Sequence, residues 1–256
     1  MQQKLILKAA MAQTTTTRFT FNMPDIDGLF PGFKAGDFAA IYGPQSVTSL
    51  VSQLCVRAQL PKQLGGLESK VVFIDAANSS SLSNILQAVE LQRLDPKAAL
   101  GQVINMRTYT AYRLTSLIME KLEETVETSG AKLVVISDIV CSFLNDNVDD
   151  QEAKAAYSQI MSYLASFAKR HRIIIIATYL PHESNRRNST LQEITTAKTN
   201  TVLRFTKTLY TSEVELEKHP SYMLGVVDFT PEILTLTDFA ATSSENTRPT
   251  FAIKIC

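Results

Sequence analysis

One stretch of the chain, residues 36–58, constrains the fold more than any other. The residues from Phe38 to Tyr42 form an apolar run short enough for a buried parallel strand, and an apolar-periodic helix is predicted from near Thr48. A Gly-Pro turn at Gly43 separates the two. Strand, glycine turn and helix in this order are the context of a phosphate-binding loop, so the stretch predicts an α/β sheet with a candidate anion site after its first strand.

The motif of such a loop is incomplete here. Its pattern is Gly, four residues, then Gly-Lys-Ser/Thr, and with Gly43 as the first glycine the last three places fall on Thr48, Ser49 and Leu50. No residue between positions 34 and 57 is basic, so a phosphate would find no cation. Backbone N–H groups and the helix dipole still favour weak anion binding, and the alternative is an ordinary strand-turn-helix unit without a ligand. The candidate residues are Gly43, Pro44, Gln45, Ser46, Val47, Thr48, Ser49 and Leu50.

Composition limits the class of protein. A chain of 256 residues with 45% apolar side chains can form one large α/β domain or at most two small ones. Its 25 basic residues balance its 25 acidic residues, so no overall field attracts nucleic acid or anionic lipid, and any DNA contact must come from a local patch. The apolar runs are much shorter than the roughly 20 residues that span a bilayer, so no membrane segment is expected.

Neither the cysteines nor the histidines are spaced as metal ligands. The cysteines show no Cys-x-x-Cys pattern and fit a reducing cytosol, so we expect a cytoplasmic protein. Cys55 and Cys141 are expected as buried apolar side chains. The histidines are His171, His182 and His219. Because they stand far apart in the sequence, no metal site is predicted.

Beyond residue 58, apolar runs and helical periodicities alternate along the chain. Buried strands are predicted at 71–75, 103–106, 133–136 and 173–177, with helices between them. Three further strands follow one another at 201–205, 214–218 and 224–229. This order predicts a mainly parallel sheet flanked by helices and extended by C-terminal antiparallel strands. The expected divisions are an N-terminal arm at 1–18, a core domain at 19–240 and a C-terminal tail at 241–256.

A serine and an acidic residue, Ser137 and Asp138, follow the predicted strand at 133–136. In phosphoryl-transfer sites an acid at such a strand end holds magnesium. Asp138 comes one position later than that pattern requires, so Ser137 takes the place that would face the metal. With Leu50 in place of the loop hydroxyl, at least one metal ligand is missing. The alternative for Asp138 is a solvated or capping carboxylate.

An ordered set of segments resembles the RecA-like recombinase superfamily, specifically the archaeal RadA group and its non-recombinase paralogs. The segments are 33–37 before the loop, 57–61 with Gly65-Gly66 and the strand at 71–75, then 133–138, 173–178 and 218–225. Together they cover roughly residues 19–230. The resemblance implies a RecA-like P-loop NTPase core, with no room for the N-terminal DNA-binding domain of full-length RadA.

Three departures from this family bear on catalysis. Ser49 and Leu50 stand at the loop lysine and hydroxyl, and the catalytic glutamate falls on Ala77. The polar pair that senses nucleotide after the fifth strand is replaced by Tyr179-Leu180. Phosphoryl transfer uses the phosphate cation, the metal and the general base that these changes remove. We therefore expect no ATP hydrolysis, hence a pseudo-ATPase, and no cofactor beyond weak binding of ATP, ADP or another anion.

The region that resembles the family's second DNA-binding loop, residues 181–190, begins the most basic local stretch of the chain. A backbone clamp on a single strand would use such a loop, and the alternative is an ordinary solvated surface loop. The candidate DNA-binding residues are Arg186, Arg187 and Lys198.

These observations favour a non-hydrolysing regulator or DNA-binding accessory in recombinational DNA repair. Its expected partners are single-stranded DNA and a RadA-type recombinase, and a homo-oligomer stays open. Two alternatives remain. One is an atypical DNA-dependent ATPase of the RadA paralog group, completed by a cation from an adjacent subunit. The other is a KaiC-like signalling or scaffold protein that does not act on DNA.

Overall fold

The structure is a computed structural model that describes residues 18–77, 81–144, 149–182, 184–207 and 211–230. Its strands are β1 (Phe38–Tyr42), β2 (Val71–Asp75), β3 (Val103–Arg107), β4 (Leu133–Ser137), β5 (Ile174–Tyr179), β6 (Thr201–Lys207), β7 (Ser212–Lys218) and β8 (Gly225–Phe229). Its helices are α1 (Pro24–Leu29), α2 (Ser46–Arg57), α3 (Ser81–Leu91), α4 (Pro96–Leu100), α5 (Ala111–Ser116), α6 (Leu122–Ser129), α7 (Asp150–His171) and α8 (Arg186–Lys198). A π turn at Leu117–Lys121 joins α5 to α6, and short 3-10 turns lie at Lys62–Leu64 and Cys141–Phe143.

The described strands form one sheet in the order β3-β2-β4-β5-β1-β6-β7-β8. The first six strands in this order are parallel to one another, whereas β7 pairs antiparallel with both β6 and β8. This confirms the predicted α/β class, with a mainly parallel sheet and C-terminal antiparallel strands. Because the carboxyl ends of parallel strands share one edge, the residues that follow β1 to β6 are brought to the same side of the molecule.

Two hydrophobic cores lie on opposite faces of the sheet. Along β1, Ala39 and Ile41 join the core beneath α2 and α3, whereas Phe38 and Ala40 join the core beneath α5, α6 and α7. Side chains of successive strand residues point to opposite faces, so a strand that is apolar throughout must be covered on both sides. The continuous apolar runs in the sequence follow from this arrangement.

Local signals in the sequence fix several helix ends. The Asp95 carboxylate accepts a hydrogen bond from the Ala98 N–H at 2.7 Å and so caps α4. Asp149 caps α7 in the same way, and Gly130, with φ +68°, ends α6 in the left-handed conformation. In the described ranges no helix combines the length and the apolar character that crossing a bilayer requires.

Two segments differ from the sequence prediction. The helix after the first turn begins at Ser46, two residues before the predicted start. Residues 186–198, which were expected to begin as a loop, form helix α8. Its first turn is closed by Asn185, whose side chain accepts a hydrogen bond from the Asn188 N–H at 2.8 Å. The predicted arm, except Arg18, and the predicted tail lie outside the described residues.

Candidate functional site

The turn after β1 holds the candidate anion-binding residues at the carboxyl edge of the sheet. Gly43, Pro44 and Gln45 form the turn, and the residues from Ser46 onward already belong to α2. In a phosphate-binding loop the helix follows the whole motif, whereas here it begins inside the stretch that aligns with the motif. Val47 and Leu50 pack in the core beneath α2. Their side chains therefore do not line the turn.

The early start of α2 uses backbone donors that a phosphate would need. The N–H of Val47 donates to the carbonyl of Pro44 at 2.9 Å, and the N–H of Thr48 donates to the carbonyl of Gln45 at 3.0 Å. A loop that cradles phosphate instead points such N–H groups at the ligand. The positive end of the helix remains, with the half-buried hydroxyls of Ser46 and Ser49 near it.

No cation from α2 reaches this turn. The nearest basic residue along the helix is Arg57, which is buried at the last position of α2. Its Nε donates to the carbonyl of Thr20 at 3.3 Å. A helix of 12 residues places Arg57 roughly 16 Å from the first turn along the helix axis. The Arg57 guanidinium therefore lies at the opposite end of α2 from the turn.

Gly43 is required by packing alone. Its φ is +147°, a conformation that side chains with a Cβ rarely adopt, and a Cβ at this position would lie 2.3 Å from the backbone oxygen of Phe205 on β6. Such a contact is far shorter than any tolerated Cβ contact. The close approach of the turn to β6 therefore explains this glycine without a phosphate.

Two aromatic rings lie side by side at the ends of β1 and β5. Tyr42 pairs in register with Tyr179, and their rings stack with centroids 4.6 Å apart. The Tyr42 hydroxyl lies 2.7 Å from each carboxylate oxygen of Glu217 and donates to them. Burial, and next this hydrogen bond, raise the pKa of Tyr42, and burial raises that of Tyr179. Both hydroxyls therefore keep their protons at neutral pH.

Asp138 lies directly after β4 and is held by β5 and by the segment that follows it. Its φ is +48°, and its N–H donates to Oγ1 of Thr178 at 2.9 Å. Nε2 of His182 lies 2.9 Å from each oxygen of the Asp138 carboxylate, which is almost completely buried. Burial raises the pKa of this carboxyl, and the hydrogen bond and charge of His182 act in the opposite direction.

The other carboxylate at this edge, Asp75, is also paired. Asp75 ends β2 opposite Ser137 of β4, is fully buried, and lies 3.7 Å from Nε of Arg107 on β3. Ser137 is buried too, and its carbonyl accepts a hydrogen bond from the Ala76 N–H at 3.2 Å. Ala77, where the resemblance would place a glutamate, follows β2 and is half-buried. Each of the two buried carboxylates thus already has a basic partner.

The cysteines differ in their environment. Cys55 is fully buried, as predicted, and burial raises the pKa of its thiol. Cys141 is only half-buried, so the prediction for this residue was wrong. It begins the 3-10 turn after Asp138, in which Ser142 and Phe143 are buried and Cys141 is not. Burial, and next the charges of Asp138 and Asp75, raise the pKa of this thiol, which favours its protonated form.

The candidate DNA-binding residues do not form one patch. Arg186 and Arg187 lie at the first turn of α8 and Lys198 at its last residue, roughly 18 Å away along the helix axis. Arg186 and Lys198 are exposed, whereas Arg187 is ion-paired with Asp150 at the start of α7. Arg186 is therefore the exposed cation at this end of α8.

A shallow cleft separates the first turns of α7 and α8. Its lining residues are Asp150, Gln151, Lys154, Arg186, Arg187, Thr190 and Leu191. Three of these side chains are cationic and one is a carboxylate, so the cleft has an excess of positive charge. The positive end of α8 adds to it, whereas the start of α7 carries the capping carboxylate of Asp149 and the acidic residues Asp150 and Glu152. Sequence reasoning missed Lys154, because it lies on α7 and is more than 30 positions away from the arginines.

A family model described as Rad51 matches residues 12–210. The matched region is well over half of the 256 residues and contains β1 to β6. The chain belongs to the Rad51 family. Membership in the Rad51 family confirms the coarse resemblance to RecA-like recombinases, and the finer assignment to the RadA paralogs stays a prediction.

Curated relatives of this Rad51-family chain are similar over part of their length. The meiotic recombination protein DMC1 of Saccharomyces cerevisiae is 26% identical over 136 residues, which cover 53% of this chain and 40% of that protein. The DNA repair protein RAD51 homolog B of Zea mays is 29% identical over 140 residues, which cover 54% of this chain and 41% of that protein. The DNA repair protein RAD51 homolog 1 of Arabidopsis thaliana is 27% identical with the same coverage. The match thus spans about two fifths of each relative.

Proposed function

We propose that this Rad51-family protein acts in recombinational DNA repair as a regulator or DNA-binding accessory and does not hydrolyse ATP. Family membership supports the process, because the relatives named above are described as recombination and DNA repair proteins. The degenerate loop after β1 supports the loss of catalysis. In this proposal the chain is a paralog that works beside a RadA-type recombinase.

The observation that carries the proposal is the geometry of the turn after β1. Two of its N–H groups, those of Val47 and Thr48, are engaged within the start of α2. Ser49 stands where a lysine would neutralise phosphate, and Leu50 is buried where a hydroxyl would hold magnesium. Phosphoryl transfer depends on positioned positive charge and metal. ATP with its magnesium ion therefore does not fit these residues.

Neither of the two buried carboxylates described at this edge of the sheet is unpaired and free to activate water. Asp75 is paired with Arg107, and Asp138 is paired with His182. A general base must lie within hydrogen-bond reach of the attacking water, and both oxygens of the Asp138 carboxylate already lie 2.9 Å from Nε2 of His182. Ala77 stands where the resemblance to RecA-like recombinases places the catalytic glutamate, and alanine cannot accept a proton.

Binding of single-stranded DNA is supported by the cleft between α7 and α8. Lys154, Arg186 and Arg187 outnumber Asp150 there, and the positive end of α8 lies in the same region. A phosphate group of a nucleic-acid backbone suits such a site. Lys198, at the other end of α8, would contact a separate part of the strand.

Two assays on one preparation of the full chain test this proposal. We expect no phosphate release from ATP and magnesium above the buffer rate, with or without single-stranded DNA. We also expect fluorescence anisotropy to detect binding of a labelled single strand, with an affinity that falls as salt concentration rises.

Each alternative predicts a different result. Hydrolysis that DNA stimulates, and that Asp138→Asn abolishes, would overturn the proposal in favour of an atypical ATPase. Absence of any salt-dependent DNA binding would instead favour the scaffold. A pull-down with a RadA-type recombinase tests the regulatory part, and if neither DNA nor the recombinase binds, the accessory role is excluded.

A further inference from the structure

Three side chains of different chemistry converge between the end of β4 and the segment after β5. They are the carboxylate of Asp138, the thiol of Cys141 and the imidazole of His182, and one ligand atom from each lies within 4.8 Å of the other two. In the sequence the cysteine follows the aspartate by three residues, whereas the histidine is more than 40 residues away. The fold therefore assembles a group that the spacing of the residues does not reveal.

The backbone around this group is fixed by hydrogen bonds. The Cys141 N–H donates to the Asp138 carbonyl at 3.1 Å, which closes the turn that carries both residues. The Ile139 N–H donates to the Thr178 carbonyl at 2.9 Å, which ties this turn to β5. The Leu180 N–H approaches the Asp138 carboxylate at 3.4 Å, so the strand that leads to the histidine is held as well.

We propose that Asp138, Cys141 and His182 bind a divalent transition-metal ion, with Zn²⁺ as the natural occupant. One sulfur, one nitrogen and one oxygen form a donor set that suits Zn²⁺ or Co²⁺, whereas Mg²⁺ prefers oxygen alone. In a tetrahedral zinc site the ligand atoms lie roughly 3.3–3.6 Å apart. The present separations are at most 4.8 Å, and Nε2 of His182 lies 2.9 Å from the Asp138 oxygens. A bound ion would draw Cys141 closer and move His182 and Asp138 slightly apart, shifts of about 1 Å that small side-chain rotations provide.

A second group of potential ligands, Glu123, Glu127 and His171, provides an internal comparison. Its carboxylates are 45% and 62% exposed, and Nη2 of Arg170 lies 3.4 Å from Oε1 of Glu123. An exposed pair of carboxylates with a neighbouring guanidinium binds a cation weakly, because water competes for the cation and the arginine competes for the carboxylates. It also lacks a thiol, so it cannot give the spectroscopic signature of sulfur ligation.

A metal ion in the first group would replace the contact between His182 and Asp138. It would cross-link the turn after β4 to the segment that leads into α8, whose first residue is Arg186. Three protein ligands leave a fourth position open to water. The ion would therefore stabilise the connection between the end of β5 and the start of α8, where the cleft between α7 and α8 lies.

Titration of the metal-free full chain with Co²⁺ tests the proposal. We expect one equivalent to produce d–d bands in the visible region with the intensity of a tetrahedral site, and a thiolate-to-cobalt charge-transfer band in the near ultraviolet. Zn²⁺ should then displace the Co²⁺ and erase both. Cys141→Ser should remove the charge-transfer band, and His182→Asn should weaken binding at least 10-fold.

Matched variants separate this site from other ligands. Cys256→Ser and His171→Asn should leave the bands unchanged, and circular dichroism without metal should show that every variant is folded. For the wild type, Zn²⁺ at 100-fold excess over its Kd should raise Tm by about 5–10 °C, an increase that Cys141→Ser lacks. Absence of the charge-transfer band in the wild type, or its persistence in folded Cys141→Ser, would overturn the assignment.

Discussion

Tyr42 and Tyr179 stack across the carboxyl ends of β1 and β5, with ring centroids 4.6 Å apart and planes 10° from parallel. Directly after Tyr42 comes the turn in which a phosphate-binding loop would hold its ligand. Tyr42 is also tied to β7 through Glu217, which accepts from its hydroxyl. This edge of the sheet is thus stabilised by aromatic packing and by a hydrogen bond to Glu217, whose carboxylate also lies 3.2 Å from Nε of Arg204.

The contact between Tyr42 and Glu217 should contribute measurably to stability. Tyr42→Phe removes a half-buried hydroxyl that donates to a carboxylate, so we expect the free energy of unfolding to fall by about 1–2 kcal/mol. Urea denaturation measures this change. Tyr112→Phe is the matched control, because the Tyr112 hydroxyl donates to Glu152 at 3.0 Å on the exposed surface. That variant should differ from wild type by less than about 0.5 kcal/mol, and equal effects of both changes would refute the argument.

Gly43 should tolerate no side chain even if nucleotide never binds. In Gly43→Ala the new Cβ would meet the backbone oxygen of Phe205 at 2.3 Å, so we expect a loss of about 3 kcal/mol or more in the free energy of unfolding. Gly28→Ala provides the control, because a Cβ on Gly28 meets nothing within 4 Å. Within α1 that change should be neutral or stabilise by up to about 1 kcal/mol. A stable Gly43→Ala protein would show that the turn does not approach β6 closely.

Charge changes in the cleft between α7 and α8 should move DNA affinity in opposite directions. Arg186→Ala should weaken binding of single-stranded DNA about 3- to 10-fold and reduce the salt slope by about 0.7, the value for one phosphate contact. Asp150→Asn should strengthen binding, because it removes the carboxylate that pairs with Arg187. Anisotropy across a salt series measures both effects.

The controls for this series lie elsewhere on the surface. Lys97→Ala on α4 removes an exposed positive charge outside the cleft and is the control for Arg186→Ala. Asp228→Asn on β8 removes an exposed negative charge outside the cleft and is the control for Asp150→Asn. They should leave the affinity unchanged. If Lys97→Ala weakens binding as much as Arg186→Ala does, binding depends on overall charge and the cleft has no special role.

His219 should make stability depend on pH. Its Nδ1 accepts hydrogen bonds from the N–H groups of Ser221 at 3.0 Å and Tyr222 at 2.9 Å, which only an unprotonated nitrogen can do. Burial lowers the pKa of His219 from 6.5, and among nearby charges Asp37 raises it whereas Lys34 and Arg18 lower it.

The sign of the effect follows from proton uptake. Below a pH of about 6.5 the unfolded chain binds a proton at His219 more readily than the folded protein does. This contribution to stability is therefore complete above that pH and is lost as the pH falls through the lowered pKa of His219 in the folded protein. His219→Asn keeps an acceptor atom but does not titrate, so its urea midpoint should change less between pH 7.5 and 5. An unchanged pH dependence in this variant would contradict the assignment.

Most of the fold could be predicted because buried parallel strands have a strong local signal. The apolar runs at 38–42, 71–75 and 133–136 match β1, β2 and β4 within a residue, since both faces of these strands are covered. Helix α8 was missed because few of its side chains are apolar and buried. The signal that could have found it is Asn185, which caps its first turn.

The candidate site was less accessible from the sequence. The identity of the loop residues could be read directly. The start of α2 was predicted two residues too late, although Ser46 to Leu50 carry no glycine that would delay the helix. The pairs Asp138 with His182, Asp75 with Arg107 and Tyr42 with Tyr179 join residues that are 32 or more positions apart. They depend on which strands are neighbours in the sheet, and local spacing contains no information about that order.

Calorimetric titration of the full chain with ATP and magnesium tests the central claim most directly. Because the start of α2 engages the N–H groups of Val47 and Thr48 and no residue between positions 34 and 57 is basic, we predict no magnesium-dependent binding tighter than about 1 mM. One site with micromolar affinity that disappears when magnesium is removed would contradict the account.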